Sequence, residues 1–154
     1  LERAVGQGDD LAARGRMLVG SCLAGVAFLK GLGLVHAISH NVGAAYDTHH
    51  GLTNAVLLPP VLRFNRPAIE GRVGPINQAL GLPDERFDTL YAAICGLLDR
   101  LEIPRGLVAL GARPEDARVL AERSYHDGST PTNPRPATVA DIEALVVQSM
   151  TAAR

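Results

Sequence analysis

Hydrophobic residues along this chain recur at helical rather than strand spacing. The clearest stretch is Asp84 to Leu101, where Phe87, Leu90, Tyr91, Ile94, Leu97, Leu98 and Leu101 fall on one stripe. Pro83 precedes it and Pro104 follows it. A first segment is predicted from about Asp10 to Lys30, with Asp9 or Asp10 as N-cap and with Gly31 and Gly33 closing it. A second covers about Leu34 to Tyr46. A third starts near Gly51 and is expected to stop or bend at Pro59-Pro60, because each proline lacks a donor and clashes with the preceding turn. Arg113-Pro114-Glu115-Asp116 places proline at a first helical position and acids in the first turn, opening a helix to about His126. The last helix opens at Thr138, with Asp141 as a shortened capping box, and carries Ile142, Leu145, Val146 and Met150 on one side. Turn residues fill Asp127 to Pro136, and no run alternates with period two long enough to make a strand. The pattern predicts an all-α, multi-helix bundle of about six helices.

Composition narrows the function. The 154 residues carry 15 Lys+Arg and 16 Asp+Glu, a formal charge of −1, which leaves no basic stripe for nucleic-acid phosphates. With 47% hydrophobic and 20% charged residues the chain is expected to fold rather than stay disordered. The longest apolar run, Met17 to Leu29, is thirteen residues, too short on its own to span a bilayer, and reads as a buried helix. No membrane partner is therefore expected. Cys22 and Cys95 lie far apart inside apolar runs and read as two buried thiols in a reducing, cytoplasmic compartment. The opening residues show no secretory signal. They start at Leu rather than Met and without a cap, so the chain is expected to be a piece of something longer.

The chemistry concentrates in one place. Four of the five histidines, His36, His40, His49 and His50, fall within fifteen residues. His36 and His40 are four apart, so on a helix both rings project from one face. His50 follows just before Gly51, where the chain can turn back toward that face. Imidazoles converging from helix and loop are a usual way to hold Zn²⁺ or Fe²⁺. A lone histidine on an apolar face is more often a core residue with a satisfied ring. Three in this register, among Leu34, Val35, Ala37, Ile38 and Val42, favour a metal or catalytic site, since burying unpartnered imidazoles is costly. His49 reads as a solvated loop residue. A zinc-protease helix is excluded because position 37 is Ala where its Glu belongs. Gly31-x-Gly33 lacks the third glycine of a dinucleotide loop, and no serine nucleophile elbow is present.

Gly31-Leu-Gly-Leu-Val-His36-Ala-Ile-Ser-His40, then Gly43, Tyr46, His50-Gly51 and Asn54-Ala-Val-Leu-Leu-Pro59, resembles the metal-binding signature of the iron-containing (group III) alcohol dehydrogenases. Arg63-Phe-Asn65 continues the similarity. Ile103-Pro104, Leu110-Gly111, Asn133-Pro-Arg135, Thr138 and Asp141-Ile142 resemble the family's C-terminal end, so the likeness runs from about Leu11 to Ala144. The resemblance implies the C-terminal helical domain of a two-domain dehydrogenase, with residues 1–154 forming a truncated metal-binding domain. It implies His36 and His50 as metal ligands and His40 as a catalytic proton relay. It further implies a divalent metal (Fe²⁺ or Zn²⁺), NAD or NADP in the intact enzyme, and a small-molecule alcohol or aldehyde substrate.

Departures from the family pattern are equally specific. No Asp-x-x-x-His pair lies upstream of His36, the Gly-rich cofactor loop is absent, and His49 stands where relatives commonly have proline. Half the coordination shell and the nucleotide site are therefore expected outside these residues, and the chain alone is expected to be inactive. Homo-oligomerisation is left open. A maleylacetate-reductase-like or hydroxy acid oxidoreductase of the same superfamily, and a non-catalytic helical metal-binding or interaction module, are the rival readings.

Overall fold

The computed structural model describes residues 1–151; the last three of the expected 1–154 domain lie outside the described residues. Among the described residues there is no strand. Eight α-helices run in chain order as α1 (Glu2–Gly6), α2 (Leu11–Ala27), α3 (Gly33–Tyr46), α4 (His50–Ile69), α5 (Val73–Ala79), α6 (Phe87–Arg100), α7 (Ala117–Tyr125) and α8 (Val139–Met150). The six expected segments are all present. The two additional helices, α1 and α5, are only five and seven residues long, too short to show an apolar stripe.

Two compact units divide the chain, Leu1–Gly31 and the residues from Leu32 onward. In the first, the Asp10 side chain accepts from the Ala13 amide and caps α2 as expected. The prediction of a buried helix here fails. Only Ala13 of α2 is buried, Leu18 and Leu23 stand in solvent, and Cys22 is exposed while Cys95 alone is buried. The bilayer-length reading is corrected too. Leu11–Lys30 forms 20 continuous helical residues with a mean hydropathy of 1.3 over its most apolar window, long and apolar enough to cross a membrane by length and composition. Counting only uninterrupted apolar residues stopped short because Arg14, Arg16 and Lys30 extend the helix at little cost in propensity.

In the second unit, α3, α4, α7 and α8 share one core. Leu34, Ile38 and Val42 of α3 meet Leu57 and Val61 of α4, Leu120 of α7, and Ile142 and Val146 of α8. These positions repeat at helical spacing, which is why each helix buries one face. A smaller cluster joins Val73 of α5 to Phe87 and Leu90 of α6, burying part of the predicted α6 stripe. That helix starts at Phe87 rather than Asp84, whose carboxylate instead accepts from the Arg86 backbone amide.

Pro59 and Pro60 do not stop α4, which continues through both, and through Pro67, to Ile69. An interior proline costs about 3 kcal/mol of helix stability. Burial of Val56, Leu57, Pro59, Pro60 and Val61 offsets that cost, so tertiary packing overrides the local signal. The final helix follows its sequence closely. Thr138 and Asp141 form the reciprocal capping box, and Ile142, Leu145, Val146 and Met150 are buried.

Candidate metal centre

The site is built on the first turn of α3 and the first turn of α4. Helix α3 begins at Gly33, whose φ of +71° suits a residue without Cβ. Its first amides are satisfied from far along the chain. Thr132 Oγ1 accepts from Leu32 and Gly33, and Asn133 Oδ1 accepts from Leu34 at 3.1 Å. That anchoring places His36 and, one turn on, His40.

After Tyr46, Asp47 adopts a left-handed conformation with φ 52° and donates its amide to Gly43, ending α3. Thr48 and His49 then turn the chain into α4. The Thr48 and Thr53 hydroxyls lie 2.7 Å apart, and Thr53 Oγ1 donates to the His49 carbonyl. His49 is exposed, as expected, but it has a structural task. Its Nδ1 accepts from the Leu52 amide and caps α4. Its neighbour His50 therefore faces back toward α3.

The three predicted site histidines come together. Ring centroids are 5.3 Å apart for His36 and His50, 5.4 Å for His40 and His50, and 5.9 Å for His36 and His40. The Nε2 atoms of His36 and His50 both contact one atom, Nδ2 of Asn54, at 3.3 and 3.1 Å. An amide N–H₂ donates, so each imidazole presents a lone pair, and the two lone pairs address a common point. Asn54 Oδ1, in contrast, is buried without a hydrogen-bond partner.

This donor set fits a divalent transition metal, since two neutral imidazoles suit Fe²⁺ and Zn²⁺ alike. It is only part of a shell. Among the described residues no group of three or more His, Cys, Asp or Glu side chains is placed to hold an ion.

Second partners hold the rings in place. Ser39, fully buried on α3, lies 3.0 Å from Nδ1 of His50. His36 is hydrogen-bonded to the Leu32 backbone, one turn earlier. Nδ1 of His40 sits 3.1 Å from Oδ2 of Asp127, whose other oxygen accepts from the Ser129 amide.

Burial is the main cause holding the His36 ring below the ordinary histidine range, and its neighbours His50 and His40 add to it. Burial pushes the Asp127 carboxyl up, but the Ser129 amide and His40 outweigh it, leaving the group below the usual carboxylate value. Near neutral pH the site thus pairs a neutral ligand-type imidazole with a nearby carboxylate.

Ser39, Asn54 and Asp127 were missed in the sequence. Asn54 carried a local signal, lying one helical turn after His50. Asp127 did not, because it meets His40 from 87 residues away.

A family model described as "Fe-containing alcohol dehydrogenase family, C-terminal" matches residues 1–150. The chain is 43% identical to the probable alcohol dehydrogenase EutG of Salmonella typhimurium, covering 92% of this chain and 36% of that protein. It is 39% identical to the NAD-dependent methanol dehydrogenase of Bacillus methanolicus, covering 97% and 41%. A crystal structure of 1,3-propanediol oxidoreductase superposes with a TM-score of 0.90 at 36% identity, over 97% of this chain and 41% of that one. The maleylacetate reductase of Rhizobium gives a TM-score of 0.63 at 28% identity, over 78% of this chain and 32% of that one. The chain thus spans about two-fifths of the length of the relatives it matches.

Proposed function

Because the chain belongs to the Fe-containing alcohol dehydrogenase family and corresponds to its C-terminal part, we propose that it supplies two ligands and a proton relay to a metal-dependent, NAD(P)-dependent alcohol dehydrogenase. The carrying observation is the convergence of His36 Nε2 and His50 Nε2 on the single Asn54 amide nitrogen. When bound by these residues, a divalent ion supplies Lewis-acid polarisation of the substrate oxygen. His40 then accepts the hydroxyl proton of an alcohol and passes it to solvent, which its exposed edge supports. Asp127 holds that ring at Nδ1, leaving Nε2 to face the reacting group. A nicotinamide cofactor bound in the intact enzyme would supply the hydride chemistry that interconverts alcohol and aldehyde or ketone.

The better superposition on 1,3-propanediol oxidoreductase than on maleylacetate reductase supports an alcohol rather than a maleylacetate substrate. A near-zero net charge supports a small-molecule partner over nucleic acid. The family match running through Leu11–Lys30 supports a helix of the enzyme fold there rather than a membrane anchor. Two unpaired thiols support a reducing, cytoplasmic setting.

The test is metal analysis of the intact enzyme. His36→Ala and His50→Ala are expected to remove metal and activity together. His40→Ala is expected to lower kcat while metal content stays near wild type. Metal loss in all three variants would make His40 a ligand and overturn the assignment.

A further inference from the structure

The Ser39 hydroxyl has two contacts, both with His50. It donates to the His50 carbonyl oxygen at 3.5 Å and lies 3.0 Å from Nδ1 of the ring. A serine hydroxyl carries one proton. That proton can serve either the carbonyl or the ring nitrogen, and the 3.0 Å contact fits both directions. The other edge of the ring decides between them: the Asn54 amide donates to Nε2 and a neutral imidazole has only one N–H, so Nδ1 carries the proton and the Ser39 hydroxyl accepts it. Ser39 is completely buried, so its hydroxyl has no solvent partner.

We propose that Ser39 is a positioning residue that locks His50 in the Nδ1–H tautomer, so that the Nε2 lone pair is presented at the point it shares with His36. Metal-bound histidines commonly have their second nitrogen held by a carboxylate, carbonyl or water. Here a neutral hydroxyl does that work, and it comes from the helix that carries His36. Helix α3 therefore provides one ligand directly and sets the protonation of the other from three residues further on. The inference deepens the metal-centre reading and rests on it only for its consequence, since the tautomer itself exists without an ion.

The tautomer is read by long-range ¹H–¹⁵N correlation on the metal-free chain labelled at histidine, in wild type, Ser39→Ala and Ser39→Thr. Wild type is expected to show His50 protonated at Nδ1. Ser39→Ala is expected to shift it toward the Nε2–H form, and Ser39→Thr, which keeps the hydroxyl, to restore it. In the intact enzyme, Ser39→Ala is expected to weaken Zn²⁺ binding by about 10–100-fold. An Nε2–H ring in wild type, or a tautomer unchanged in Ser39→Ala, overturns the proposal. Wild-type enzyme that binds no Zn²⁺ while its His50 shows the expected tautomer would sink the metal reading and leave the lock standing. Normal Zn²⁺ binding with the wrong tautomer would do the reverse.

Discussion

At the scale of single residues, the His36 ring couples the site to folding. Burial, with smaller contributions from His50 and His40, makes its protonation harder in the folded state than in the unfolded chain. As pH falls below the ordinary histidine value of about 6.5, the unfolded state takes up the proton first. The ring's contribution is therefore fully present above that value and is lost as pH falls through the lower folded one. Urea unfolding at about pH 7.5 and about pH 5.5 checks this. Wild type is expected to lose more stability on acidification than His36→Gln, and equal losses would show that the ring is not desolvated. His36, His40 and His50 were legible in the sequence because their spacing alone brings them to one helix face and the turn after it. Ser39 was not, since a serine within a helix carries no sign of what its hydroxyl will meet. Asp127 escaped for a different reason: it lies in a run of turn residues, where an aspartate needs no partner to be explained.

At the scale of elements, local signals and remote ones contribute unequally. Thr138 caps α8 through its own turn, and Thr138→Ala is expected to cost about 1 kcal/mol. Asn133 does more. Its Oδ1 accepts from the Leu34 amide and from Asn65, and its Nδ2 donates to Asn65 Oδ1 and to the Arg135 carbonyl. One side chain thereby fastens the start of α3 to the C-terminal part of α4, the two helices that carry the histidines. Asn133→Ala would leave the buried Asn65 amide and a helix N-terminal N–H without partners, an expected loss of about 2–4 kcal/mol. Thermal or urea melts of the two variants should therefore rank Asn133→Ala well below Thr138→Ala, and the reverse order would mean that the clamp is dispensable. The same division explains what was readable. The α6 stripe and the α8 capping box are complete within one turn or one helix, so sequence sufficed. The continuation of α4 through Pro59 and Pro60 depends on what those residues pack against, and a local rule predicts only a stop or a bend there.

At the scale of the whole molecule, α2 sets the expectations for the chain in isolation. Its composition reads as a core helix, yet Leu11 is 81% exposed, Leu18 74% and Leu29 89%, and these three share a face. Hydropathy reports what a helix prefers to touch, not whether this length of chain supplies it, so burial here was not legible from sequence. Exposed apolar side chains repeated along one helix face favour association in water. The proposed metal centre is similarly partial, with two imidazoles where closed structural zinc sites use four ligands. The isolated 154-residue chain is accordingly expected to lose added Zn²⁺ on desalting and to show no turnover with NAD(P) and an alcohol. Sedimentation velocity across a concentration series is expected to show reversible self-association. Leu18→Glu combined with Leu29→Glu should shift the chain toward monomer without lowering its helix content, because neither side chain is buried. A wild-type chain that stays monomeric throughout the series would show that this face is not adhesive, and robust dehydrogenase turnover would show that the missing ligands are not needed.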